Sequence, residues 1–116
     1  MPNQNIDVTF TALADPTRRA VVEALCGGAA TVSQLAAPFD MALPSFTQHL
    51  GVLEKAGLIA SHREGRTRVC TLNAAALRAV EDWLAAHRRQ WEDRLDRFEK
   101  HLARTSKDNS NDYRQG

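Results

Sequence analysis

The middle of the chain carries local signals in a fixed order: a short helix, a turn, a second amphipathic helix and two strand-like runs. Thr31 is a favourable N-cap for a short helix over residues 32–37. Apolar residues at spacings of three and four predict the second helix over residues 44–56. Residues 58–63 and 66–72 flank a glycine, which predicts a β-hairpin. This order is that of a winged helix-turn-helix.

The segments on both sides of this motif are also predicted to be helical. One helix is expected over residues 6–14, and Asp15-Pro16 begins a second, because aspartate favours the N-cap and proline the first helical position. Asn73 can cap a long helix over residues 74 to about 103. The predicted fold is therefore mostly α with a small β-hairpin, in the order α-α-α-α-β-β-α, and its long C-terminal helix is suited to dimerisation.

Length and composition limit the class of protein. The 116 residues fit one domain, predicted over residues 6–104, between a flexible start at residues 1–5 and a disordered tail at 105–116. The net charge is +1 and 43% of residues are hydrophobic, as in globular proteins. The apolar runs are too short to span a membrane, the start does not resemble a signal peptide, and two cysteines are too few for a disulfide scaffold. We therefore expect a cytoplasmic protein without membrane contact.

The helix over residues 44–56 is the predicted recognition helix. Its apolar residues define an inward face, and the opposite face is small and polar. Hydroxyl and amide groups can hydrogen-bond base edges, and a valine can meet a thymine methyl. The predicted base contacts are Ser45, Thr47, Gln48 and Val52.

Basic side chains cluster in the same region. Residues 44–70 carry four Lys or Arg and two carboxylates, before their two histidines are counted. A wing of arginines beside a recognition helix is suited to phosphate or minor-groove contact. The residues predicted to make these contacts are His49, Lys55, Arg63, Arg66 and Arg68.

The long last helix has a stripe of mainly apolar residues at steps of three and four, which is the pattern of a helix-pairing seam. At 1.5 Å per residue this helix would be about 45 Å long, too long to lie wholly on so small a core. We therefore expect a homodimer, with recognition helices about 34 Å apart on an inverted-repeat DNA site. The predicted dimer contacts on this helix are Leu77, Val80, Leu84, His87, Trp91, Leu95 and Phe98.

Four stretches together resemble the ArsR/SmtB family of bacterial winged-helix repressors: residues 10–19, 31–36, 44–59 and the wing at 63–66. The resemblance covers about residues 8–100. It implies dimeric repressors whose first and last helices pair across the two-fold axis, which adds Phe10 of the first helix to the predicted dimer contacts. The stretch at residues 91–95 is similar to a metal-independent branch of the family.

Two alternatives remain open. A thiol- or metal-responsive sensor could use the same scaffold, with Cys26 and Cys70 as candidate redox residues. However, neither family metal-site pattern is present, so no metal site or cofactor is predicted. A protein-interaction module without specific DNA binding is the other alternative. An enzyme is not expected, because the sequence lacks a phosphate-binding glycine loop, a nucleophile elbow and a paired-carboxylate pattern. Double-stranded DNA and a second copy of the chain are the predicted partners, and the effector is unknown.

Overall fold

The computed structural model describes the backbone of residues 2–115 and the side chains of residues 6–106. The predicted loose ends, residues 1–5 and 105–116, lie almost wholly outside the described side chains and stay predictions. The elements in chain order are α1 (Pro2–Leu13), α2 (Pro16–Leu25), β1 (Ala30–Thr31), α3 (Val32–Ala36), α4 (Leu43–Lys55), β2 (Ile59–Glu64), β3 (Thr67–Leu72) and α5 (Ala74–Gln115). The mostly helical winged helix-turn-helix is confirmed.

Two predicted N-caps hold α2 and α3 in place. The Asp15 carboxylate accepts the backbone N–H of Arg18 at 3.1 Å, and a proline follows at the first helical position. At α3, Thr31 accepts the N–H of Gln34 at 3.1 Å while the Gln34 side chain accepts the Thr31 N–H at 2.9 Å. This reciprocal capping box satisfies donors that a helix start otherwise leaves unpaired. Both helices therefore begin where the sequence indicates.

The sheet contains one strand that the sequence did not predict. Its order is β1-β3-β2, with both neighbours antiparallel to β3. Strand β1 has two residues, Ala30 and Thr31, which pair with Cys70 and Val69. Two residues are too short to show the alternation by which a strand is recognised. The expected two-stranded hairpin is thus extended by the segment that leads into α3.

Helix α4 is anchored in the core by one face. Phe46 and Leu53 are fully buried, Leu50 is nearly so, and the Phe39 ring lies 5.5 Å from that of Phe46. The other buried members of this cluster are Ala12, Val21, Val22, Leu25, Leu35, Ala56, Leu58, Ile59 and Cys70. The predicted inward face of the helix is confirmed, so its orientation in the domain is set by apolar burial.

The chain divides into two units, residues 1–80 and 81–116, and the boundary falls within α5. In the first unit, Leu77 packs against the core and Val80 is buried. In the second, the apolar stripe of α5 is exposed at Leu84, Trp91 and Leu95. No helix among the described residues is both long and apolar enough to cross a membrane.

Candidate nucleic-acid interface

The outward face of α4 carries the predicted base-reading side chains. Ser45, Thr47, Gln48 and Val52 are all exposed. Helix α4 ends at Lys55, and Gly57, just after the C-cap, has a φ of 76° that lets the Leu58 N–H reach the Leu53 carbonyl at 3.0 Å. This arrangement is a Schellman motif, and it leads the chain directly from the recognition helix into the wing.

Two of these four side chains have additional contacts in the protein. The Thr47 hydroxyl donates to the Leu43 carbonyl at 2.6 Å, so its proton is used within the helix. Val52 and Lys55 line a groove of about 330 Å³ beside α1, together with Val8 and Thr11. Ser45 and Gln48 are therefore the predicted base readers with the fewest competing contacts.

One flank of α4 is held by a cluster that the sequence did not predict. The Arg18 Nη1 lies 3.2 Å from His49 Nδ1, and an Asp15 carboxylate oxygen lies 3.7 Å from the same nitrogen. The backbone N–H of Arg18 lowers the pKa of Asp15 below its ordinary value, and the charge of the Arg18 guanidinium adds to this effect. His49, predicted to contact phosphate, is half-buried and already has partners within the protein.

The opposite flank is tied to the wing by a second cluster. The Glu54 carboxylate accepts the Ser61 hydroxyl and pairs with Arg68 Nη2 at 3.0 Å. Arg68 Nε also donates to the Ser61 hydroxyl at 2.9 Å. Arg68, predicted to contact DNA, is therefore oriented by the recognition helix, and part of its charge is offset by Glu54.

These two clusters lie on either side of the buried face of α4. At about 100° per residue, His49 and Glu54 are about 140° apart, and the direction of Leu50 falls between them. Gln48 then points close to the opposite direction. From the sequence, His49 and Arg68 are predicted to contact DNA, and their contacts with α2 and within the wing are not. The parts of Arg18, Glu54 and Ser61 in these clusters are not predicted either.

The tip of the wing presents its arginines at a tight turn. Gly65 has a φ of 64° and Arg66 has a negative φ, which is the pattern of a type II′ hairpin turn. Arg63 stands opposite Arg68 across the strands, so three arginines lie near one end of the hairpin. Within the described side chains, neither Arg63 nor Arg66 has a carboxylate partner. Their charge is available to an anionic partner.

The cysteines differ in their surroundings. Cys26 is exposed and Cys70 is buried, and both are free thiols. Burial raises the pKa of the Cys70 thiol, and the nearby Glu54 carboxylate adds to this effect while Arg68 opposes it. Because the thiolate is the reactive form, Cys70 is poorly suited to oxidation in the folded protein. Among the described residues, no group of His, Cys, Asp or Glu is arranged to hold a metal ion.

The predicted dimer contacts divide into two sets. Leu77 and Val80 contribute to the domain's own packing, and Phe10 is 36% exposed. The stripe members Leu84, Trp91, Leu95 and Phe98 are between 48% and 63% exposed. The His87 ring, on the same stripe, stacks on Trp83 with centroids 4.0 Å apart. The second set is the part of the stripe that a partner could cover.

Comparison with known proteins places this geometry among transcriptional regulators. A family model described as a helix-turn-helix domain matches residues 13–62. The transcriptional repressor SdpR of Bacillus subtilis is 36% identical over 75 residues, covering 65% of this chain and 83% of that protein. The regulator Rv2034 of Mycobacterium tuberculosis is 40% identical over 74 residues, covering 64% of this chain and 69% of that protein.

A solved structure shows the same relationship. The crystal structure of an ArsR family transcriptional regulator is 51% identical, with a TM-score of 0.73, and the match covers 78% of this chain and 93% of that one. These relatives are transcriptional regulators rather than enzymes. Together with the winged helix-turn-helix fold, these similarities show that this chain belongs to the ArsR family of winged helix-turn-helix transcriptional regulators.

Proposed function

We propose that the protein is a transcriptional repressor that binds an inverted-repeat operator as a homodimer and blocks access of the polymerase to a promoter. The observation that carries this proposal is that Ser45 and Gln48 lie on an exposed face of α4, the helix that leads directly into the wing. The wing arginines Arg63 and Arg66 lack carboxylate partners in the described structure. Polar side chains on a helix can read base edges, and arginines supply phosphate or minor-groove contact.

The exposed stripe of α5 supports the homodimer. Four large side chains, Leu84, Trp91, Leu95 and Phe98, follow one another at helical spacing and are half exposed. An apolar stripe of this length is typical of a surface that pairs with another helix. Two-fold pairing would repeat the recognition helix, and therefore the half-site, in inverted orientation.

The proposal is tested by fluorescence anisotropy of the protein on its own upstream DNA. We expect tight binding to one inverted repeat, with an affinity that falls steeply as salt rises because lysines and arginines release counterions from phosphates. The matched control is the same duplex with one half-site scrambled. Equal and weak binding to both duplexes would contradict the proposal and favour a protein-interaction module. The titration is then repeated with zinc and with diamide. A change in DNA affinity with either reagent would identify a metal- or thiol-responsive regulator.

The Gln48→Ala variant should lose base reading. We expect the affinity for the operator to weaken by roughly 1–3 kcal/mol and the preference over scrambled DNA to shrink, since a lost base contact affects the correct sequence most. Gln90→Ala, at an exposed glutamine of α5, is the matched control and should bind as the parent does. Equal weakening on every sequence would remove Gln48 from the base-reading set.

The Arg66→Ala variant should weaken binding without changing preference. A phosphate contact adds the same energy on any sequence, so operator and scrambled DNA should lose affinity equally, and the slope of log affinity against log salt should fall by about one. Arg78→Ala removes a charge from an exposed site on α5 and should leave the slope unchanged. A selective loss on the operator alone would mean that Arg66 reads sequence.

A further inference from the structure

Arg18 joins three elements through three different N–H groups. Its Nε donates to the Ala12 carbonyl at 2.6 Å and its Nη2 to the Thr11 carbonyl at 3.3 Å, both near the end of α1. Its Nη1 lies 3.2 Å from Nδ1 of His49 on α4. Arg18 itself lies in the first turn of α2, where its backbone N–H donates to the Asp15 carboxylate. One rigid guanidinium thus links the recognition helix α4 to α1 and α2, the first two helices of the chain.

The contact with Arg18 determines which nitrogen of the His49 ring carries the proton. A guanidinium remains protonated and can only donate, so Nδ1 must accept and the ring proton must be on Nε2. The Asp15 carboxylate, 3.7 Å from the same nitrogen, offsets the nearby positive charge. A neutral ring in this tautomer keeps Nε2–H as a donor for an anionic group such as a phosphate.

Small rotations of the recognition helix would be costly for base reading. The end of a glutamine side chain lies roughly 8 Å from the helix axis, so a rotation of about 10° moves it by about 1.4 Å. That displacement is enough to break a hydrogen bond, since these bonds weaken quickly beyond their normal length. Gln48 is adjacent to His49 in sequence, so a constraint on the ring constrains the neighbouring reader.

We propose that Arg18 is a positioning residue for DNA recognition, which holds α4 at a fixed rotation through Nδ1 of His49. The inference rests on the proposed function and adds to it a residue that does not contact DNA bases. Arg18 acts on one flank of α4, and the Glu54 cluster with Ser61 and Arg68 acts on the other. With both flanks held, the outward face is set before DNA is bound, which lowers the cost of ordering it on binding.

Arg19 offers a matched control within the same turn. Its Nη1 donates to the Leu13 and Ala14 carbonyls at 2.9 and 3.1 Å, so it also satisfies the end of α1. No contact of Arg19 with α4 is found in the described structure. Arg18→Gln and Arg19→Gln therefore remove the same charge from α2 and a similar helix-end contact, but only the first removes the link to His49.

The test compares operator and scrambled DNA for the parent and both variants. Arg18→Gln should lower the ratio of the two affinities about tenfold, while Arg19→Gln should keep the ratio even if it lowers the melting temperature. Arg18→Lys should behave like Arg18→Gln, because one ammonium cannot serve three separated acceptors. His49→Asn, which keeps an acceptor near the position of Nδ1, should preserve the ratio better than His49→Ala. A ratio unchanged in Arg18→Gln, or equally reduced in Arg19→Gln, would overturn the inference.

A second measurement on the free protein separates this inference from the proposed function. The ¹⁵N chemical shifts of the His49 ring should report an Nε2–H tautomer with a hydrogen-bonded Nδ1, and the Nδ1 shift should change in Arg18→Gln but not in Arg19→Gln. Identical ring shifts in the parent and Arg18→Gln would overturn the positioning contact even if operator binding is specific. A parent protein that shows no operator preference would overturn the proposed function, and the role of Arg18 with it.

Discussion

The Leu95→Glu variant is expected to be a monomer. Leu95 is 48% exposed in the middle of the α5 stripe, between Trp91 and Phe98. A carboxylate there would have to be buried against a partner helix, and burying an unpaired charge costs several kcal/mol. Light scattering should report half the mass of the parent at equal concentration. Trp91→Glu is expected to give the same result.

Loss of the dimer should also weaken operator binding by about 100-fold or more, because two linked half-site contacts would become separate binding events. Arg89→Gln is the matched control, since it changes the net charge by the same amount at an exposed position on α5 away from the stripe. Circular dichroism should show that both variants keep their helices. A parental mass for Leu95→Glu would contradict the proposed seam.

The Phe46→Ala variant should lose much of the stability of the domain. Phe46 is fully buried and lies against Phe39, so truncation removes apolar contacts and leaves a cavity, at a cost of about 3–5 kcal/mol. The melting temperature should fall by more than about 10 °C for a domain of this size. Urea unfolding followed by circular dichroism measures the change in free energy directly.

Leu43→Ala is the control for this substitution. Leu43 belongs to the same helix but is 57% exposed, so its truncation should cost less than about 1 kcal/mol. A similar loss of stability in the two variants would mean that α4 is not anchored by the face that carries Phe46. The comparison separates the anchoring of the helix from its contribution to DNA binding, which Gln48→Ala tests without disturbing the core.

Much of the fold follows from patterns that are local in the sequence. The caps at Asp15 and Thr31, the turn at Gly65 and the stop at Gly57 each depend on a few neighbouring residues, and each is found where expected. The inward face of α4 follows from the spacing of its apolar residues. These features are predictable because backbone geometry links them to residues no more than about four positions apart.

The parts that sequence reasoning missed depend on distant pairs. Arg18 and His49 are 31 residues apart and Glu54 and Arg68 are 14 apart. No periodicity indicates such contacts, and a charged residue on a surface helix is expected to face water. From the sequence, the segment around Arg18 predicts a helix cap and a resemblance to a family, but not a contact with α4. Strand β1 was missed for a different reason, because it is too short to carry a pattern.

The arrangement of α4 has a consequence for how such proteins diverge. The residues that hold this helix, Phe46, His49, Leu53 and Glu54, are different from those that face outward, Ser45 and Gln48. Substitutions in the outward set can therefore accumulate without repacking the domain. On the proposed base-reading role of Ser45 and Gln48, one or two exposed substitutions are expected to change the target site of a duplicated copy of the gene without altering its stability or its wing.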